Sequence, residues 1–217
     1  MNKNEPIILD PIFSKPLYGK LMDVDTKKVV SMIDNWGWQT TDYWEAGELM
    51  PGDWFQVTKN WHILDHPKLK FLRDEIMKEF YLYAHGVMKY VNEFEITTSW
   101  FTKAAKNQNC QYHLHNNCMI TGTLYLQTNE NSGDISFQDY NNRRFDLVVD
   151  EANVYNALEW HIKPVDGLVI FFPAELYHKI EKNKTDSPRY SLAFNMTPIG
   201  QIGREYADSQ VSIKVEK

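Results

Sequence analysis

Two histidines separated by one residue, His113-Leu114-His115, lie in a stretch rich in β-branched and aromatic side chains. Residues two apart on a strand face the same side, so both imidazoles can reach one metal ion. Such a pair arises by chance roughly 0.2 times in a chain of this histidine content, and two surface histidines explain it equally well. A third histidine follows an apolar run, Asp166-Gly-Leu-Val-Ile-Phe-Phe-Pro-Ala-Glu-Leu-Tyr-His178. The run predicts a buried strand ending near Pro173, and the turn after it delivers His178 to the start of the next strand. Eleven residues on, Arg189-Tyr190-Ser191 places a guanidinium and a hydroxyl on one strand face, with Asn195 further along that face. A guanidinium offers paired donors to a carboxylate, which the hydroxyl can supplement; a surface ion pair is the plainer account of Arg189.

Cys110 and Cys118 bracket the histidine pair as Cys-x2-His-x-His-x2-Cys. Structural zinc sites usually join two separated ligand pairs, and strand alternation turns Cys110 away from His113. The preferred reading is two buried small hydrophobes in a reducing compartment.

These residues need a scaffold, and the pattern predicts one. Asp25 can cap a helix carrying Val29, Val30, Ile33 and Trp36 on one face and ending near Gly37. A longer helix starts near Pro67, a favoured first-turn residue, with the stripe Leu69, Leu72, Ile76, Phe80, Tyr83, Val87 and Val91. After Asn92 short β-rich runs appear: 94–103, 111–115, 119–127, 134–138, 145–149, 158–163, 168–172, 178–182 and 190–197. Turn clusters at 129–133, 141–144 and 183–188 separate them. This spacing predicts an antiparallel jelly roll with the helices covering one outer face. Residues 211–215 alternate and predict an edge strand. Five of the seven tryptophans (Trp36, Trp38, Trp44, Trp54, Trp61) crowd the N-terminal third. They are expected mainly to pack helices onto the sheet, with a substrate lid as the other use, and Trp44 and Trp54 are the least determined.

The chain has 217 residues, 43% hydrophobic and 24% charged, which suits one folded domain and excludes intrinsic disorder. No apolar run approaches the ~20 residues of a membrane span, and the N-terminus has no secretory core. The net charge of −6 argues against general nucleic-acid binding. A soluble, cytoplasmic protein is expected.

Taken together, Ser99-Trp100, His113-x-His115, Met119-Ile-Thr-Gly-Thr-Leu-Tyr-Leu126, Ser132-Gly-Asp-Ile-Ser-Phe137, Gly167–His178 and Arg189–Asn195 resemble a family of iron(II)/2-oxoglutarate-dependent oxygenases found in bacteria and marine phages. The resemblance covers about residues 94–197. It implies a mainly β fold with flanking α, a distorted double-stranded β-helix (jelly roll) supported by N-terminal helices. The expected organisation is a supporting segment 1–92, a catalytic core 93–200 and a tail or edge strand 201–217, in one globular domain. It further implies Fe(II), 2-oxoglutarate as co-substrate and O2, in a dioxygenase that hydroxylates a protein or peptide side chain or a small metabolite. If the chain is phage-encoded, it would work in the host cytoplasm. His113 and His178 fall at ligand positions, and Arg189 and Ser191, with Tyr125, at the co-substrate site.

One departure stands out. The wider superfamily carries His-x-Asp/Glu, whereas His115 fills the acidic slot here. The first reading makes His115 the third ligand; a carboxylate from elsewhere, Asp134 or Asp139, is the second, and loss of catalytic iron the third. The same histidines also resemble a cupin pattern, a metal-binding barrel that could bind a ligand or partner without turnover. Met119 stands where cupins carry Glu, and Arg189-x-Ser191 has no cupin role.

Overall fold

A computed structural model describes residues 13–40, 54–139, 147–204 and 208–216. The chain forms β1 (Tyr18–Leu21), α1 (Thr26–Ile33), β2 (Trp38–Thr40), β3 (Gln56–Thr58), α2 (Lys70–Tyr81), β4 (Glu93–Ala104), β5 (Cys110–His113), β6 (Ile120–Gln127), β7 (Ile135–Gln138), β8 (Glu159–Ile162), β9 (Leu168–Pro173), β10 (Tyr177–Ile180), β11 (Arg189–Ile202) and β12 (Val211–Ile213). Two antiparallel sheets result. The larger runs β1-β9-β6-β11-β4-β3-β2 with β12 added to β11, and the smaller runs β5-β10-β7-β8. This is the mainly β, double-stranded β-helix architecture expected, with helices flanking it.

Alternation along the central strands assigns their faces. Tyr190, Leu192, Phe194 and Met196 of β11, Leu124 and Leu126 of β6, and Val169 and Phe171 of β9 join one core with α1 and α2. The opposite side of those strands holds Arg189, Ser191 and Ala193, Thr121, Thr123 and Tyr125, and Phe172, all facing a cavity closed by the small sheet. Because β9 is covered on both sides, it reads as one unbroken apolar run, as strands buried on two faces do.

Asp25 caps α1, its Oδ1 accepting from the Lys28 N–H at 3.0 Å. At the other end Asp34 accepts from the Tyr190 hydroxyl at 2.9 Å and from Lys103 Nζ at 3.2 Å, tying α1 to β11 and β4. Glu79 of α2 is buried yet receives Tyr18 Oη and Lys20 Nζ of β1, both at 3.1 Å.

The stripe of the long helix holds only part of the way. Leu69, Leu72, Ile76, Phe80 and Tyr83 are fully buried, but Val87 is 55% exposed and Val91 91% exposed. The helix widens into a π-helical segment at Leu82–Val87, which rotates later residues off the apolar face, and Val91 lies beyond its end. The strand expected at 145–149 is also corrected. Residues 147–149 are irregular and exposed, while 145 and 146 lie outside the described residues, as does the 141–144 turn. Among the described residues, no helix is long and apolar enough to cross a membrane.

Trp36 packs edge-on to Phe101 and Trp38 edge-on to Tyr190, so these two join the segment before β3 to the sheet. Trp61 instead leans on Trp100 with ring centroids 5.3 Å apart, and Trp54 pairs in an isolated bridge with Asn109. Trp44 lies outside the described residues.

Candidate metal and co-substrate site

His113 ends β5 and is the cross-strand partner of His178 on β10. That register, rather than the spacing along the chain, brings the third ring in: the centroids of His113 and His178 are 4.3 Å apart. His115 lies two residues past the strand, its N–H donating to Ala174 O at 3.0 Å, with its ring 5.2 Å from His113 and 5.3 Å from His178. One ligand atom from each of the three lies within 4.8 Å of the others. Among the described residues no other group of histidine, cysteine or carboxylate side chains meets this condition, so Asp134, Asp139 and Cys118 stand outside it.

The rings are prepared as neutral ligands. Nδ1 of His113 meets Gln111 O at 2.8 Å, and Nδ1 of His178 meets Leu176 O at 2.7 Å. A carbonyl can only accept, so each Nδ1 carries the proton and Nε2 the lone pair. Burial pushes all three imidazoles below their ordinary range, His115 to about 4 with the help of His113, and opposed by Asn195.

Cys110 corrects the strand alternation argument. Its Sγ lies 3.6 Å from His113 Nδ1 and lines the same cavity. In the β5–β10 ladder His178 pairs with His113 and Ile180 with Cys110, so two steps on β10 face three on β5. This bulge puts Cys110 and His113 on one side. Neither cysteine is fully buried as a residue, and desolvation raises their thiols to about 12 for Cys110 and about 11 for Cys118.

Behind the histidines the cavity, about 570 Å³ with its mouth included, is lined by Arg189, Ser191 and Tyr125. Arg189 is 3% exposed, and its Nη1 donates to Ser132 O at 2.6 Å and Gly133 O at 3.3 Å. Gly133 sits at φ +92°, and a Cβ there would lie 2.1 Å from Glu181 O, so only glycine lets this loop pack against the Glu181 backbone while its carbonyls reach Arg189. No carboxylate among the described residues pairs with this guanidinium, and its Nε has no partner. Tyr125 Oη is likewise buried without a partner, and burial raises its pKa. Ser191 Oγ lies 2.6 Å from Thr102 Oγ1.

Thr102 and Phe55 had no place in the sequence reading, and Trp100 and Thr123 stood there only within motifs of the resemblance, without a site role; all four line the cavity. Alternation on β4 puts Trp100 and Thr102 on one face, but only the pairing Ser191↔Thr102 reveals which face that is. No aspartate or glutamate is among the described lining residues.

Buried donors without partners need an acceptor, and a buried cation needs a counter-charge. Arg189 and Tyr125 therefore fit an anionic, oxygen-bearing ligand. The neutral imidazoles beside them fit a divalent transition metal.

The profile of a family described as "Putative 2OG-Fe(II) oxygenase" matches residues 98–195. Among solved structures, an oxidoreductase of the 2OG-Fe(II) oxygenase family from Burkholderia pseudomallei aligns with a TM-score of 0.58 at 10% identity, covering 79% of this chain and 78% of that one. HygX from Streptomyces hygroscopicus, solved with nickel and 2-oxoglutarate bound, gives 0.56 at 12% identity over 85% and 83%. SnoN, a non-heme alpha ketoglutarate dependent epimerase from nogalamycin biosynthesis, gives 0.57 at 11% over 84% and 78%. At these identities the likeness is one of fold. No curated protein matches the sequence.

Proposed function

We propose, from the match of residues 98–195 to the family of 2OG-Fe(II) oxygenases and from the site described above, that the chain is an iron(II)- and 2-oxoglutarate-dependent dioxygenase that hydroxylates its substrate. His113, His115 and His178 hold the iron, while Arg189, with Ser191 and Tyr125, holds the distal carboxylate of 2-oxoglutarate. The observation that carries this reading is a buried Arg189 that no carboxylate among the described residues pairs with, in one cavity with three neutral imidazoles. Iron, 2-oxoglutarate and O2 supply the oxidising chemistry when bound.

The protein's share is orientation and exclusion of water. The Gln111 and Leu176 carbonyls fix the tautomers of His113 and His178. The Ser132 and Gly133 carbonyls aim Arg189 and leave its Nε for the ligand. Tyr125 Oη stands as a further donor. Phe172, Ile135 and Ile180 dry the wall between the two sheets, which strengthens charge-assisted hydrogen bonds within.

Solved structures of similar fold include an epimerase and a carbocyclase, and mass analysis of the product distinguishes hydroxylation from those reactions. A protein or peptide side chain is the first substrate class to assay and a small metabolite the second. Anaerobic addition of iron(II) and 2-oxoglutarate is expected to produce the weak visible charge-transfer band of chelation. Aerobic turnover is expected to release succinate in an iron-dependent way, with the substrate gaining one oxygen atom. Succinate that never forms, together with no band, would refute the assignment.

A further inference from the structure

Four rings run in a row from the histidine cluster to the surface. His178 lies parallel to His115 with centroids 5.3 Å apart, His115 is tilted 22° from Trp100 at 6.0 Å, and Trp100 meets Trp61 at 5.3 Å and 62°. Trp100 lines the cavity, as does Phe55, whereas Trp61 stands outside the lining and is 41% exposed. The backbone of Trp61 is pinned to the sheet: the Ser99 N–H donates to Trp61 O at 2.7 Å, and His62 bridges to Ser99. The ring is therefore held in place yet open to solvent. Trp36 and Trp38 pack the N-terminal segment onto the sheet, but Trp61 and Trp100 leave an aromatic corner that leads inward to His115.

The shape and charge of this corner limit what fits it. A flat ring can stack on one tryptophan and turn its edge to the other, the two geometries that aromatic rings prefer. Arg189 is the only lysine or arginine among the described lining residues, and no carboxylate lines the cavity there. With neutral imidazoles, iron(II), the co-substrate dianion and Arg189 leave the loaded site one positive charge, which repels a cation. An anion finds no second basic side chain in that lining, so its lost hydration is not replaced. A cavity of about 570 Å³, shared with 2-oxoglutarate, is the size of a small-molecule site.

We propose that Trp100 and Trp61 form the specificity corner for the substrate, and that this substrate is a small molecule presenting an uncharged aromatic ring. This rests on the oxygenase reading above, which makes the remaining space beside the metal the substrate's.

The test uses the full chain loaded with cobalt(II) and 2-oxoglutarate, with 2-naphthol as the probe. Cobalt(II) is paramagnetic and broadens the proton NMR lines of a probe bound near it; zinc(II) is the diamagnetic control. The wild type is expected to bind 2-naphthol and to broaden its lines with cobalt(II) only. Trp100→Ala is expected to weaken 2-naphthol about 10-fold and Trp100→Phe to restore most of that loss. Trp61→Ala is expected to weaken it about 3-fold with cobalt(II) and 2-oxoglutarate affinities unchanged; it serves if Trp100→Ala fails to fold or disturbs His115. The charged 1-naphthylmethylammonium and the saturated decahydro-2-naphthol are expected to bind more weakly than 2-naphthol. Absent binding, absent cobalt(II) broadening, equal affinity in wild type and Trp61→Ala, or equal binding of either comparison compound overturns the proposal. A capped tripeptide with naphthylalanine at its centre that binds more tightly than 2-naphthol overturns the small-molecule assignment. Cobalt(II) and 2-oxoglutarate that bind without any 2-naphthol leave the oxygenase reading standing and refute the corner. A wild type that binds neither, yet loses 2-naphthol through Trp61→Ala, refutes the oxygenase reading and leaves the corner as a ring-binding site.

Discussion

At the scale of single residues, the site is defined by a charge it has and a charge it lacks. Arg189 is a buried cation whose protein partners are neutral carbonyls. Truncating a buried, charged hydrogen-bond partner costs ~2–5 kcal/mol, so Arg189→Ala should raise the 2-oxoglutarate Kd by about 30-fold or more. Iron affinity should barely change; binding isotherms of each ligand separate the two effects. Because a lone buried charge is costly, Arg189→Met should raise the melting temperature of the ligand-free protein while abolishing co-substrate binding. His115 is the missing negative charge. His115→Ala should remove most iron(II) affinity, whereas His115→Asp should bind iron at least as well as wild type, since it restores the usual carboxylate. Full retention of the anaerobic charge-transfer band in His115→Ala would refute the three-histidine set.

At the scale of elements, what matters is which face each helix and strand commits. The π-helical segment divides the long helix into a buried half and an exposed end. Leu72→Ala should therefore cost ~2–5 kcal/mol, while Val91→Ala should stay within about 0.5 kcal/mol by chemical denaturation. The joint between α1 and the sheet should show in the acid limb of stability. Tyr190 and then Lys103 hold the Asp34 carboxyl below its ordinary value of 3.8. A depressed carboxyl contributes stability above its unfolded pKa and loses it as pH falls through the folded one. The stability gap between wild type and Asp34→Asn should accordingly be full at neutral pH and shrink below about pH 4, as urea melts across that range would show.

At the scale of the whole molecule, the two sheets and the helical layer form a frame that leaves one polar interior surface unsatisfied. A ligand that satisfies it stabilises the fold by mass action, ~2.7 kcal/mol at a hundredfold excess over Kd. Metal and 2-oxoglutarate together should raise the melting temperature by several degrees. Arg189→Ala should keep the increment from metal and lose that from 2-oxoglutarate; His115→Ala should lose both, because chelation needs the metal. Equal increments in wild type and both variants would place ligand binding elsewhere on the molecule.

The sequence by itself determined the strands from β4 onward except the run expected at 145–149, the capped start of α1, and the candidate set His113, His115, His178, Arg189 and Ser191. These follow from local causes: side-chain alternation, turn chemistry, capping and motif order. Only the tertiary structure decided how those residues meet. The pairing of His113 with His178, the bulge that turns Cys110 inward and the contact between Ser191 and Thr102 all depend on register between strands distant in sequence. The widening of the long helix depends on packing that its own pattern does not encode, and so Val87 and Val91 were misplaced. The polar faces of β6 and β11 show the same limit. Alternation reveals that a strand has a polar side, but whether that side meets water or closes over a cavity is settled by the sheet laid across it.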